Sequence, residues 1–335
     1  RGSLTALVLS IVLITGPFAG HVAGQEVDVT ALRADVDQKA EAVTDKCLAR
    51  RRDIHQHPEL GNREFRTAAL VADHLRSLGM EVQTEVAHTG VVGLLEGGLP
   101  GPVVALRADM DALPVTELVD LPFASKARTE YNGQEVGVMH ACGHDNHTAM
   151  LMGVAEILAG MRHRLPGSVK FIFQPAEEGS PAGEEGGASL MVREGALEDP
   201  RPDAIFGLHV WMEHTGQIRY RSGGAMASAQ TLRIVVRGAQ THGAKPWSGV
   251  DPVVISAQIV LGLQTVVSRQ SDITRAPAVV TIASIHGGLR SNIIPDSVVM
   301  VGTVRTLDLE MQARIEDRIR KTAKGIAEAG GGKAE

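Results

Sequence analysis

Three apolar runs each end on side chains capable of chemistry. Val103–Arg107 (V-V-A-L-R) leads into Asp109-Met110-Asp111. Ser168–Gln174 (S-V-K-F-I-F-Q) stops at Pro175 and is followed by Glu177-Glu178, and Ala204–Leu208 (A-I-F-G-L) is followed at once by His209. Short apolar runs bounded by turn residues read as buried strands. Open α/β sheets collect ligands just outside the carboxyl ends of their strands. A chain of this pattern is therefore expected to be α/β, with acids and a histidine meeting at one rim.

A fourth segment reaches the same rim by another route. Between Met139 and Thr148 the chain reads M-H-A-C-G-H-D-N-H-T, and the helix predicted from Thr148 to Met161 follows it directly. Thiolate, imidazole and carboxylate form the ligand set that divalent transition metals select. Cys142 and His144 alone are a modest signal. A structural zinc knuckle needs further close-spaced Cys or His, and the other cysteine, Cys47, is far away and reads as a plain thiol on a helix. With His209 and the Glu177-Glu178 pair added, a shared metal site is the expectation. One glutamate of the pair can coordinate while the other takes a proton from water. Asp109 and Asp111, at i and i+2 on a strand end, point the same way, and one of them can orient a ligand imidazole. The plainer readings are a solvated Glu pair and a surface loop with two acids. His140 and His147 are ligands, supports of ligands or helix-cap packing, and His55 and His57 read as structural.

The chain has 335 residues, enough for two ordinary domains. A hydrophobic share of 44% excludes disorder, two cysteines exclude a disulfide scaffold, and a net charge of -6 offers no basic surface to nucleic acid. Leu4–Phe18 is an apolar run behind Arg1, broken at Gly16-Pro17 and followed by small residues to Gly24. It has the form of a cleavable export signal over residues 1–24, with a membrane anchor as the alternative. The protein is thus expected to be exported, to the periplasm or beyond the cell. A first residue of Arg rather than Met reads as a missing start.

Helical periodicity covers 36–56 and 62–79, the second with Phe65, Ala68, Ala72 and Leu75 on one face, and residues 117–137 read as a polar loop. After Thr215 the character changes. Strands are predicted at 229–237, 278–285 and 297–305, and helices at 252–268 and 309–329, the last halted by Gly330-Gly331-Gly332. The order βαββα is a ferredoxin-like sandwich lacking its last strand. The domains are accordingly a metal-binding first segment over 30–215 and a second domain over 216–335. No phosphate-binding glycine loop is present: Gly183–Gly187 lacks the required lysine and Ser/Thr.

The stretches R-R-D-I-H-Q-H-P-E-L-G, A-L-R-A-D-M-D-A-L-P-V, M-H-A-C-G-H-D-N-H-T-A, F-Q-P-A-E-E-G, G-L-H-V and N-I-I-P-D-S-V-V-M-V-G-T-V-R-T occur in this order. Together they resemble the M20 metallopeptidase family in its amidohydrolase branch of hippurate hydrolases, N-acyl-amino-acid deacylases and auxin-conjugate hydrolases. The resemblance implies a catalytic α/β domain with a central mixed sheet and an inserted ferredoxin-like lid through which such enzymes form homodimers. It implies two divalent cations (Zn, Mn, Co or Ni) on Cys142, His144, Glu178 and His209, with Glu177 as general base and Asp111 as the acid that tunes the site. It makes His242, in T-H-G-A-K-P-W, the group that stabilises the tetrahedral oxyanion, and Asn292 and Arg305 the grip on the substrate's carboxylate. The expected substrate is a small N-acyl amino acid. A dipeptidase or carboxypeptidase of the same fold, or a non-catalytic binding module, are the alternatives.

Two departures stand out. Many relatives carry Pro-His where this chain has Pro246-Trp247. Relatives also return after the lid to complete the catalytic domain and supply another ligand histidine, so the chain reads as a fragment.

Overall fold

The apolar runs become strands close to their expected positions. The structure, a computed structural model, describes residues 29–335, and the segment read as an export signal lies outside the described residues. These divide into two compact units, one up to residue 218 and one from residue 219. Among the described residues no helix is long and apolar enough to cross a membrane.

In the first unit, helices α1 (Val29–Gln56) and α2 (Phe65–Ser77) precede strands β1 (Glu81–Val86), β2 (Gly90–Glu96) and β3 (Leu99–Asp109). A hairpin of β4 (Arg128–Tyr131) and β5 (Gln134–Gly137) leads to helix α3 (His144–Ala159), strand β6 (Pro166–Gln174), the short helix α4 (Gly187–Arg193) and strand β7 (Ala204–Gly207). Five strands form one sheet in the order β1-β2-β6-β3-β7. Strand β3 runs parallel to β6 and β7, whereas β2 is antiparallel to both β6 and β1, so the sheet is mixed, as the family resemblance implies.

Both faces of this sheet are covered. Along β6, Val169, Phe171 and Phe173 join Val71 and Leu75 of α2 and Met152 and Ala155 of α3 in one core. Ile172, on the other face, meets Val92, Ala105 and Met191 of α4. This period-two alternation lets one strand feed two cores. Burial of each large apolar side chain stabilises the fold by about 1.5–3 kcal/mol. Helix α1 contributes Val36, Ala40, Val43 and Cys47, a stripe at i, i+4, i+7 and i+11.

The register of the parallel strands places the chemistry. Asp109 of β3 lies opposite Gln174 of β6, and Arg107 lies opposite Gly207 of β7. Asp109, the Pro175–Glu178 turn and His209 therefore leave the sheet from the same edge.

Several expectations are corrected here. The stretch 117–137 is not all loop, because β4 and β5 pair across Asn132-Gly133, whose φ values of 53° and 75° suit a tight hairpin turn. Strand β1 was not expected, being largely polar and exposed. Phe65 is not on the packed face of α2 and is 63% exposed. Thr67, Val71 and Leu75 share the buried stripe at four-residue spacing, and Phe65 falls outside it. Helix α3 begins at His144 rather than Thr148, entered through left-handed Gly143.

The second unit comprises β8 (Gln230–Arg237), β9 (Thr241–His242), α5 (Pro252–Ser268), β10 (Ala278–His286), β11 (Ile293–Ile294), β12 (Ser297–Thr306), α6 (Leu309–Ala329) and β13 (Lys333–Ala334). Its antiparallel sheet has the order β10-β12-β8-β13, the ferredoxin-like arrangement. The expectation that the last strand is missing is corrected. Gly331, at φ 77°, reverses the chain, and Lys333 and Ala334 pair with Arg237 and Val236 of β8. Helices α5 and α6 bury Ile255, Ile259, Leu263, Ile315 and Ile319 in one core with the sheet. Asp251 caps α5 by accepting from the amides of Val253 and Val254, with Pro252 in the first turn.

Candidate metal centre

Gly143 separates Cys142 from His144 with φ at 91°, and a Cβ there would meet Val210 Cγ2 at 2.4 Å. Only glycine fits such a position without strain. The reversal brings both flanking side chains into one cluster. Cys142 Sγ lies 3.5 Å from His209 Nε2. His209 Nδ1–H donates to the carbonyl of Val210 at 2.6 Å, which fixes the tautomer and leaves the Nε2 lone pair toward the sulfur.

His144 is fully buried. Its Nδ1–H donates to Asp111 Oδ1 at 3.2 Å, so Nε2 also presents a lone pair. That nitrogen is buried without a hydrogen-bond partner. Three carboxylate oxygens, from Asp109, Glu177 and Glu178, each lie 3.8 Å from it. A bare lone pair among carboxylates is repulsive unless a proton or a metal cation lies between them. Three sets of donor atoms, each mutually within 4.8 Å, share His144: Cys142 with His209, Asp109 with His147, and Glu177 with Glu178. The soft sulfur, two imidazoles and hard oxygens fit a pair of divalent transition-metal ions.

Electrostatics point the same way. Burial pushes the Cys142 thiol up to about 12, with Glu178, Glu177 and Asp109 adding to the effect. Burial likewise raises Glu177, and Asp109 raises it further. Burial opposes ionisation of His144, yet Asp111, Asp109 and Glu177 together raise it. An excess of anionic donors around one pocket is what a cation relieves.

Both strand-end aspartates orient histidines. Asp111 holds His144 through Oδ1 and accepts from the amide of Glu178 through Oδ2 at 2.9 Å. Asp109 accepts from His147 Nδ1 at 2.5 Å and from Arg107 Nη1 at 2.6 Å. Burial opposes its ionisation, but His147 and Arg107 prevail and hold the carboxyl well below the usual range. His147 Nε2 accepts from the amide of Val210 at 2.8 Å, so both its ring nitrogens are engaged by the protein. Its ring packs 4.6 Å from that of His209. His147 therefore braces a neighbour of the donor set, which sequence spacing could not decide. His140 is buried with both nitrogens unpartnered, and burial pushes it down to about 4. His55 is structural, bonded to Asp145 at 2.9 Å and Glu117 at 3.1 Å. His57, just past the end of α1, is exposed and bonds the carbonyl of Asp53 at 2.8 Å.

Arg107 and Glu64 of this network were not singled out in the sequence, and Asp145 was read only as the carboxylate of the Met139–Thr148 segment. Arg107 is two before Asp109 on the same strand face, a spacing that could have marked it. Glu64 is fully buried, accepting from Thr89 Oγ1 at 2.5 Å and from the amide of Ala176 at 2.8 Å. Asp145 accepts from Arg51 and His55 and ties the start of α3 to α1. Neither acid has a local signal, since their partners are remote in sequence. Beside Glu178 lies a cavity of about 630 Å³ whose walls include Leu60, Phe65, Leu113 and Tyr131.

The second unit holds the other sequence-predicted residues. His242 pairs with Ile293 across β9 and β11, and the amide of Gly243 donates to the carbonyl of Asn292 at 2.8 Å, so His242 and Asn292 are neighbours. Arg305 is not with them. It lies eight residues along β12 from Ser297, a rise of roughly 27 Å, opposite Val279. All three side chains are exposed.

Known proteins resemble the chain along most of its length. The model of peptidase family M20/M25/M40 matches residues 105–322. The chain is 41% identical over 300 residues to thermostable carboxypeptidase 1 of Saccharolobus solfataricus, covering 89% of this chain and 72% of that protein. It is 38% identical to the N-acyl-L-amino acid amidohydrolase of Geobacillus stearothermophilus, covering 90% of this chain and 78% of the relative. Among solved structures, the Bacillus subtilis YXEP protein, described as a dinuclear metal binding peptidase of family M20, superposes with a TM-score of 0.71 at 37% identity. That match covers 88% of this chain and 73% of the other.

Proposed function

The chain belongs to peptidase family M20/M25/M40, and on that premise we propose that it is a metal-dependent amidohydrolase of N-acylated amino acids. It releases the amino acid and a carboxylic acid. Cys142, His144, Glu178 and His209 would hold two divalent cations. When bound, these supply Lewis acidity that polarises the amide carbonyl and acidifies water.

The protein's own groups do the rest. Glu177, exposed to solvent and raised in pKa, takes the proton from the attacking water and delivers it to the leaving nitrogen. Asp111 keeps His144 in one tautomer and fixes the peptide of Glu178, so Glu177 and Glu178 keep their separate directions. The cavity beside Glu178 gives an acyl group room. His242, Asn292 and Arg305 remain the proposed substrate-side groups of the second unit. The separation of Arg305 from the other two within one unit favours their division between two copies of a homodimer. The unpaired edge strand β10 and the exposed Val254 and Leu261 of α5 are consistent with such an assembly. We propose export as well, on the strength of the apolar run Leu4–Phe18.

The observation that carries the reading is His144 Nε2, buried and unpartnered among three carboxylates. A second reading, carboxypeptidase action on peptides, is favoured by the name of the 41% identical relative. Chelator-treated protein, resupplied with Zn, Mn, Co or Ni and offered N-acetyl and N-benzoyl amino acids beside dipeptides, separates the two. Glu177→Gln is expected to keep its metal content and lose roughly 10²–10⁴-fold in turnover. Full activity in that variant removes the base assignment.

A further inference from the structure

We propose that Glu64, outside the set of metal donors, is the positioning residue that fixes the direction of Glu177. The inference rests on the amidohydrolase reading for its kinetic test and on geometry for its substance. Glu64 sits at the entry to α2 and is fully buried. One carboxylate oxygen accepts from Thr89 Oγ1 at 2.5 Å, and the other accepts from the amide of Ala176 at 2.8 Å. Ala176 directly precedes Glu177 and has φ at 47°, in the left-handed region that residues other than glycine rarely occupy.

A second carboxylate holds the far side of the same turn, where Asp111 accepts from the amide of Glu178. The peptide groups before Ala176 and after Glu177 are thus gripped by two buried acids from different parts of the chain. The segment carrying Glu64 is also packed backbone to backbone against this turn. A Cβ on Gly61 would fall 2.6 Å from the carbonyl oxygen of Gly179 and 3.1 Å from Ala176 Cα. Asn62 Nδ2 donates to the carbonyl of Glu185 at 3.0 Å, farther along the same loop.

Such a clasp has a use. The turn bends the chain sharply as it leaves β6, and the unfavourable φ of Ala176 must be imposed from outside. Released, Ala176 relaxes toward an extended or right-handed conformation, and the Glu177 side chain swings away from the scissile bond. A displacement of about 1 Å at a proton-transfer group can cost roughly 10²-fold in rate. The Glu64 carboxylate bonds Thr89 and the Ala176 amide rather than a donor atom, so it acts through this backbone.

The test uses the full chain loaded with cations, in the variants Glu64→Ala, Glu64→Asp, Glu64→Gln, Ala176→Gly and Glu64→Ala/Ala176→Gly. Glu64→Ala and Glu64→Asp, the latter one methylene too short for both bonds, should lose about 10²-fold in kcat with KM and metal content near those of the parent. Glu64→Gln keeps an oxygen for the Ala176 amide and should retain most activity. The double variant should recover part of the loss, because glycine adopts positive φ without penalty. Equal kcat in the parent and Glu64→Asp overturns the proposal. So does a kcat loss that tracks metal loss, or a double variant no better than Glu64→Ala. If Glu64→Ala fails to fold, Glu64→Asp and Glu64→Gln carry the comparison. Hydrogen exchange of the peptide spanning Gln174–Glu178 needs no turnover. Exchange should rise in Glu64→Asp and return to the parent level in Glu64→Gln. Unchanged protection overturns the clasp even if no amide is cleaved, whereas an inactive parent with the expected exchange pattern counts against the amidohydrolase reading alone.

Discussion

At the sheet edge of the first unit, Asp109, Asp111 and His144 are each at most 1% exposed. The two aspartates meet four partners through their side chains: His147, Arg107, His144 and the amide of Glu178. At the His242 turn of the second unit the side chains face solvent, and His242 makes one local bond, accepting from the amide of Ala244 at 3.0 Å. The first arrangement is over-determined, because both aspartates are held by partners from other elements before any ligand arrives. The second leaves its groups free to be ordered by what they bind. Stability and chemistry are therefore coupled at the sheet edge and separable at the turn.

The strongest test of that contrast is Asp109→Ala. It leaves Arg107 and His147 without their buried acceptor, and removal of one member of a buried charged network costs about 3–5 kcal/mol. Thermal or urea unfolding of the metal-free protein should show a loss of that order. A loss under about 1 kcal/mol, the level of an ordinary surface change, breaks the claim that the edge is over-determined.

What the sequence made legible follows the same division. The three strands, their terminal acids and His209, and the Cys142–His144 loop could be read because burial imposes apolar runs and parallel strands gather their ends. Strand β1 escaped because its residues are mostly exposed and polar, leaving no apolar run to see. The β4–β5 hairpin escaped despite its Asn132-Gly133 turn, since its strands have four residues each. Glu64 and His147 could not be assigned roles, because their meaning lies in partners at Ala176, Asp109 and Val210 that only the folded register supplies. The distance of Arg305 from Asn292 was hidden for the opposite reason: thirteen residues apart in sequence, they are carried to different ends of β12.

A smaller effect, dependent on pH, separates the clasp from the donor set. Burial raises Glu64 to about 7 from 4.5, with Asp111 adding to it and the bonds from Thr89 and Ala176 opposing. A folded pKa above the unfolded one means that the proton favours the folded state. That stabilisation is complete below about pH 4.5 and is lost as pH rises through about 7, by up to about 3 kcal/mol in the metal-free protein. Glu64→Gln should flatten this part of the stability profile between pH 5 and 8. Both the protonated acid and the amide keep an oxygen for the Ala176 N–H, so the flattening should come without loss of the clasp. An unchanged slope places the titration elsewhere.

The smallest effect belongs to the turn. His242→Ala removes a side chain that is exposed and accepts a single bond from its own loop, while the backbone pairing of β9 with β11 persists. Stability should change by less than about 0.5 kcal/mol, as for surface substitutions away from special features. Turnover, by contrast, should fall roughly 10²–10³-fold if His242 meets the developing oxyanion. Measured together on one preparation, a flat unfolding curve and a collapsed kcat mark a residue whose only work is chemical. If stability falls with the rate, His242 is part of the packing of its unit, and the contrast between the two regions loses its second half.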